Sequence, residues 1–87
     1  MKEIIEVVSL TTGFSLEEIT GACQKENLVA ARAYIAREAN KRGFSDRKIA
    51  YALNRDRTAI VHYRKHYKPT FYYELIEQWT NRIMDAL

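Results

Sequence analysis

Two clusters of side chains in this sequence are spaced to do chemistry, and both lie between Ser45 and Lys68. His62 and His66 stand four residues apart, a spacing that puts two imidazoles on one helical face, as in some zinc sites. The intervening Tyr63-Arg64-Lys65, however, lacks the glutamate of a metalloprotease helix, and its two cations repel a metal ion. No second ligand pair has suitable spacing, so no metal is expected. The second cluster is of a different kind. Arg55-Asp56-Arg57-Thr58 gathers donors and acceptors at one point, Ser45-Asp46-Arg47-Lys48 does so just upstream, and Arg64, Lys65 and Lys68 follow. Side chains of this sort meet a polyanion: Arg presents a planar fork of donors to phosphate or guanine, and Asp accepts from the cytosine amino group.

The charge distribution points the same way. The chain has 87 residues and a net charge of +3, but residues 25–68 hold twelve Lys/Arg against four Asp/Glu, a local +8. The remainder holds two basic and seven acidic residues, −5. A basic centre between acidic ends raises the odds of a phosphate-rich partner, whereas mixed surface charge alone would need no partner. With 47% hydrophobic and 29% charged residues, the composition is that of one folded domain spanning 1–87. A single cysteine, Cys23, excludes an internal disulfide framework, fits a reducing compartment and is expected to be a small buried hydrophobe. Glu3 and Glu6 interrupt the first apolar run, which is therefore no signal peptide, and no apolar stretch approaches the ~20 residues of a membrane span. A cytoplasmic protein is expected. The glycines Gly13, Gly21 and Gly43 are isolated, so no glycine-rich loop cradles a nucleotide. No motif suggests a catalytic set, and neither an enzyme, a cofactor nor a small-molecule substrate is expected.

Helices must position these groups. Ile4, Ile5, Val7 and Val8 give residues 2–11 an apolar stripe that Gly13 ends. Ser15 and Glu18 form a capping-box pattern that starts a short helix at Leu16, with Phe14 placed to staple onto Ile19. Residues 27–42 are rich in helix formers; Leu28, Ala31, Ile35 and Ala39 share one face, with Arg37 and Lys41 on another. Ser45 caps the next helix, whose buried face is Ile49, Ala52 and Leu53, and Asn54 suits the left-handed residue that ends it. Asp56 or Arg57-Thr58 then opens a helix with Ile60, Val61 and Tyr67 as its apolar side. Pro69 breaks the chain. Beyond it Tyr72, Leu75, Ile76, Trp79, Ile83 and Leu87 mark an amphipathic helix over about 70–86, read as core packing, with a partner-binding face as the lesser alternative. The expected architecture is all-α, five to six helices, with a helix-turn-helix over about 45–67.

In a helix-turn-helix the second helix offers its N-terminal side chains to base edges, while the first helix and flanking cations grip phosphate. Asp56, Arg57, Thr58 and Ala59 take the first role. Ser45, Arg47, Lys48, Arg55, Arg64, Lys65 and Lys68 take the second, joined by Arg37 from the preceding helix.

The same residues carry a resemblance. Ala-Tyr-Ile-Ala-Arg-Glu (33–38), followed by SDRKIAYALNRDRTAIVHYRK (45–65), resembles the C-terminal DNA-binding domain of the bacterial replication initiator DnaA. In that family a Y-L-A-R-E-L-like run precedes a helix-turn-helix with a signature near R-D-H-T-T-V-L-H. Here Arg55 to His62 reads RDRTAIVH, keeping the Arg, the Asp, the first Thr, two aliphatic residues and the His. The resemblance covers about residues 2–67 and implies a Trp-repressor-like all-α fold that binds duplex DNA, with Asp56, Arg57, Thr58 and Ala59 reading bases. It also implies a role in replication initiation, its regulation, or a mobile element in a bacterial or phage-host cytosol. The departures are specific. Arg57 stands where the family usually has His, Ala59 where it has Thr, Val29 where it has a minor-groove arginine, and Asn54 replaces a Gly-Gly-like pair in a turn one residue shorter. Lys25 or Arg32 would have to replace the minor-groove cation. The competing class is a protein-interaction domain that keeps the fold without DNA binding, using the acidic C-terminal helix (Glu74, Glu77, Asp85) and Tyr63 if it faces outward.

Overall fold

The computed structural model describes residues 1–86. Its six helices are α1 (Lys2–Thr12), α2 (Leu16–Thr20), α3 (Glu26–Lys41), α4 (Asp46–Leu53), α5 (Arg57–Lys65) and α6 (Phe71–Ala86), with no strand among the described residues. Their ends are set by local chemistry. Gly13 adopts φ 79°, ψ 0°, a left-handed conformation that costs glycine nothing, and its N–H donates to the Ser9 carbonyl. Ser15 and Glu18 form a complete capping box, each side chain accepting from the other's backbone N–H. The Ser45 hydroxyl accepts from the Lys48 N–H, and an Asp56 carboxylate oxygen accepts from the Ala59 N–H. Asn54 is the one described non-glycine residue with positive φ, at 53°, and it ends α4 in the left-handed region.

At the centre lies α3, which packs against each of the other five helices. Ala30, Ala31, Ala33, Ala36 and Ala39 are all fully buried, which lets neighbouring backbones approach it from every side. The eight-residue α4 is too short to persist in isolation, where helices under about 12–15 residues are marginal. Burial of Ile49, Ala50 and Leu53 stabilises it, at roughly 1.5–3 kcal/mol for each large side chain. The α4 core face thus uses Ala50, while the expected Ala52 is half-buried.

Several buried faces differ from the periodicity. On α5 the buried residues are Ile60 and Tyr63, with Val61 half-buried and Tyr67 beyond the helix end. Tyr63 is core, not an outward interface anchor. The buried line of α6 runs through Tyr73, Ile76 and Thr80; Tyr72, Leu75 and Trp79 are half-buried, Ile83 is exposed, and Leu87 lies outside the described residues. The shift has a physical cause. Tyr73 stacks edge-on against Tyr34, and the Thr80 hydroxyl donates to the Ile76 carbonyl, so an aromatic contact draws in one side chain and a satisfied hydroxyl lets the other enter the core. Phe14 meets the ring of Tyr72, with centroids 6.4 Å apart, and thereby ties the α1–α2 link to α6. Cys23 is exposed, contrary to its expected burial, because it sits in the link between α2 and α3.

Candidate nucleic-acid interface

The α4–α5 pair is joined by three residues, Asn54, Arg55 and Asp56. Two contacts outside the helices hold this link in place: Asn54 Nδ2 donates to the Thr20 carbonyl at 3.2 Å, and Arg55 Nη2 donates to the Gly21 carbonyl. A third contact fixes the two helices to each other. Arg64 near the end of α5 grips Asp46 at the start of α4 with both carboxylate oxygens engaged, Nε to Oδ1 at 3.0 Å and Nη2 to Oδ2 at 2.7 Å. This bidentate geometry holds the Asp46 carboxyl below its ordinary range, chiefly through the hydrogen bond from Arg64, and raises the Arg64 guanidinium in turn. Because the folded value of Asp46 is depressed, the associated stability is complete above the unfolded aspartate value of about 3.9 and is lost as pH falls through the folded value. The Asp46→Asn variant is therefore expected to melt below the parent near pH 6 and to match it in strong acid, which thermal melts followed by circular dichroism would check.

The tip of α5 is polar and open. Asp56, Arg57 and Thr58 are exposed side by side, although one Asp56 oxygen is engaged as the helix cap. Ala59 is half-buried and packs partly against the core, so its methyl group is only partly available. Beside this tip lies a concavity of about 540 Å³, walled by Gln24 and Val29 on one side and by Thr58, Ala59 and His62 on the other. Neither Gln24 nor His62 was expected there. His62 is exposed rather than packed, and only its backbone carbonyl serves as a cap, accepting from the N–H groups of His66 and Tyr67. The two imidazoles lie with centroids 6.1 Å apart, and no group of three or more metal-ligating side chains occurs among the described residues.

The expected phosphate contacts divide sharply. Arg47, Lys48, Lys65 and Lys68 are exposed and form no salt bridge among the described residues, and Lys25, at the N-cap of α3, is exposed as well. Ser45 is exposed with its hydroxyl occupied in capping α4. The remaining arginines are structural. Arg37 donates from Nε to the Tyr63 carbonyl (2.9 Å) and from Nη2 to the Tyr67 carbonyl (2.5 Å), and its guanidinium lies over the Tyr67 and Tyr73 rings. Arg55 is held at Gly21 and Arg64 at Asp46, as described. Arg32, a candidate minor-groove cation, is wholly buried. Its guanidinium donates to four carbonyls at the end of α2 and just beyond, those of Glu18, Ile19, Gly21 and Cys23, at 2.6–3.1 Å. Burial, and then the nearby Arg55, lower its pKa from the ordinary arginine value.

The corrections at Arg32, Arg37 and Arg55 share one cause. A helix C-terminus leaves carbonyls without intrahelical partners, and the five donors of a guanidinium satisfy several at once. Arg32 serves α2 in this way and Arg37 serves α5. The signal was present in α3 itself: a helix with small apolar residues on all sides is central, so an arginine within it points into the protein. The acidic residues Glu74, Glu77 and Asp85 of α6 are exposed. No helix of the described residues is long and apolar enough to cross a membrane. Compared with protein-family models, with curated protein sequences and with solved structures, the chain matches none.

Proposed function

We propose that this chain is a double-stranded DNA-binding module whose α4 and α5 act as a helix-turn-helix, with the N-terminus of α5 entering the major groove. One observation carries the reading: the exposed polar tip Asp56-Arg57-Thr58 lies on the same helix pair as three exposed cations, Arg47, Lys48 and Lys65, with a fourth, Lys68, just beyond the end of α5. Arg57 is the base-reading side chain, suited to guanine O6 and N7. Asp56 keeps one free oxygen for a cytosine amino group. Arg47 and Lys48 lie in the first turn of α4, whose partial positive charge adds to theirs, and they neutralise phosphate with Lys65 and Lys68. The resemblance to the replication initiator's DNA-binding domain favours the same assignment for Asp56, Arg57 and Thr58, and a role in replication control or on a mobile element belongs to the same proposal. Arg37, Arg55 and Arg64 are withdrawn from the phosphate set because their guanidinium groups are held by carbonyls or a carboxylate within the protein.

A fluorescence-anisotropy titration against random-sequence duplex tests this. With about four phosphates neutralised, log K should fall against log[salt] with a slope of roughly −3 to −4. Absence of binding at low salt, or affinity indifferent to salt, overturns the proposal.

A further inference from the structure

Away from the α5 tip, α1 and α4 do not pack against each other, and a trough of about 620 Å³ opens between them. Its lining is almost wholly apolar: Met1, Ile5 and Leu10 on one wall, Leu16, Tyr51 and Ala52 on the other. Three large side chains at this place are exposed to a degree unusual for a folded core-forming chain, Tyr51 at 90%, Leu10 at 79% and Leu16 at 54%. Gathered apolar exposure of this kind marks a binding surface, whereas single exposed residues need no explanation. A second concavity continues from the first across Met1, Tyr51 and Ala52 and ends at Phe44, Arg47 and Lys48.

We propose that this trough docks a partner protein through an amphipathic helix whose apolar stripe is flanked by acidic residues. The charge of the rim selects that occupant. Lys2, Arg47 and Lys48 border the two concavities against a single acid, Glu6. A second copy of this chain would bring the same cationic surplus into apposition, and like charge brought together disfavours it. A small apolar ligand is poorly served, since such sites rely on convergent polar groups to orient the molecule and the trough offers few. An amphipathic helix instead places residues i, i+3, i+4 and i+7 into one groove, and acids on its flanks meet Arg47, Lys48 and Lys2. Tyr51, rigid and amphipathic, is the anchor of the surface. Arg47 and Lys48 are also assigned to phosphate, so an occupied trough and a bound duplex exclude each other; this consequence alone rests on the DNA-binding reading.

The test uses a fluorescently labelled helical peptide of about 18 residues, five turns, with leucines at the stated spacing and glutamates on the flanks. A second peptide carries lysine at every glutamate. The acidic peptide is expected to bind, to shift amide resonances around Leu10, Leu16 and Tyr51, and to bind about tenfold more weakly to Leu10→Ser or Tyr51→Ser, surface changes that leave the core intact. The Arg47→Glu, Lys48→Glu double variant should abolish the preference for the acidic peptide. Binding of neither peptide, or equal binding of both, overturns the proposal, as does sedimentation showing self-association that Leu10→Ser removes. Duplex added to the complex should release the peptide. If the chain binds no duplex at all, the DNA-binding reading fails, and the peptide titration still decides the trough.

Discussion

Arg32→Met is expected to destabilise the fold by about 3–5 kcal/mol, the largest loss foreseen from any single surface or buried polar change. The side chain is fully buried and its donors reach four carbonyls. Replacing a buried ion pair with apolar residues is often neutral, because both charged partners are removed together. That escape is closed here, since the partners are backbone carbonyls that no substitution deletes. Gly21 retains a second donor in Arg55, and Glu18 retains one in the Gly21 N–H, which leaves the Ile19 and Cys23 carbonyls most dependent on the guanidinium. A domain of this length loses roughly 4–8 °C in melting temperature per kcal/mol, so a fall of more than about 12 °C is expected in thermal denaturation. Arg32→Lys should sit between parent and Arg32→Met, because one ammonium has three donors and no fork. The damage should also spread to the α4–α5 link, which leans on the same hub through Asn54 at Thr20 and Arg55 at Gly21. Faster amide exchange over residues 54–56 in Arg32→Lys would report it. A parent-like melting temperature for Arg32→Met would show that the carbonyls are adequately hydrated without the guanidinium.

Arg57→Ala should leave stability almost unchanged and alter recognition instead. Arg57 is exposed and makes no hydrogen bond or ion pair among the described residues, so its loss orphans nothing in the fold. If it reads a guanine, the best duplex loses about 1–3 kcal/mol, roughly 5- to 150-fold in affinity, while random duplex loses far less. Arg47→Ala should behave in the opposite way, weakening all duplexes alike and lowering the salt slope by about 1. Selection of preferred duplexes from a random pool, followed by titration of parent and both variants, separates the two roles. Equal effects of the two substitutions on every sequence would remove Arg57 from the base-reading position.

A partly different set of cations therefore carries the proposed interface from the one that spacing along the chain suggests. Counted by sequence, residues 25–68 form a continuous basic block. In three dimensions Arg32, Arg37, Arg55 and Arg64 turn inward or pair, and the outward charge narrows to Lys25, Arg47, Lys48, Arg57, Lys65 and Lys68 around α4 and α5 and to Lys41 and Arg42 at the end of α3, where Arg42 pairs with Glu38. That narrowing makes the expected salt dependence shallower than the sequence count implies, since committed guanidinium groups release few counterions.

What the amino-acid order by itself determined was the punctuation of the chain and its all-helical class. Gly13, the Ser15–Glu18 box, Ser45, Asn54 and Asp56 end or start helices where expected, because a cap is a hydrogen bond or a backbone dihedral decided within a few residues. The tertiary structure alone decided which face of α6 is buried and which arginines are free. Tyr73 and Thr80 enter the core because of partners on α3 and within their own helix, and Arg37 reaches carbonyls 26 and 30 residues away. No periodicity along one helix encodes such meetings. An arginine is a surface cation or an internal clamp according to whether a neighbouring helix ends within its reach, and that depends on how the helices pack.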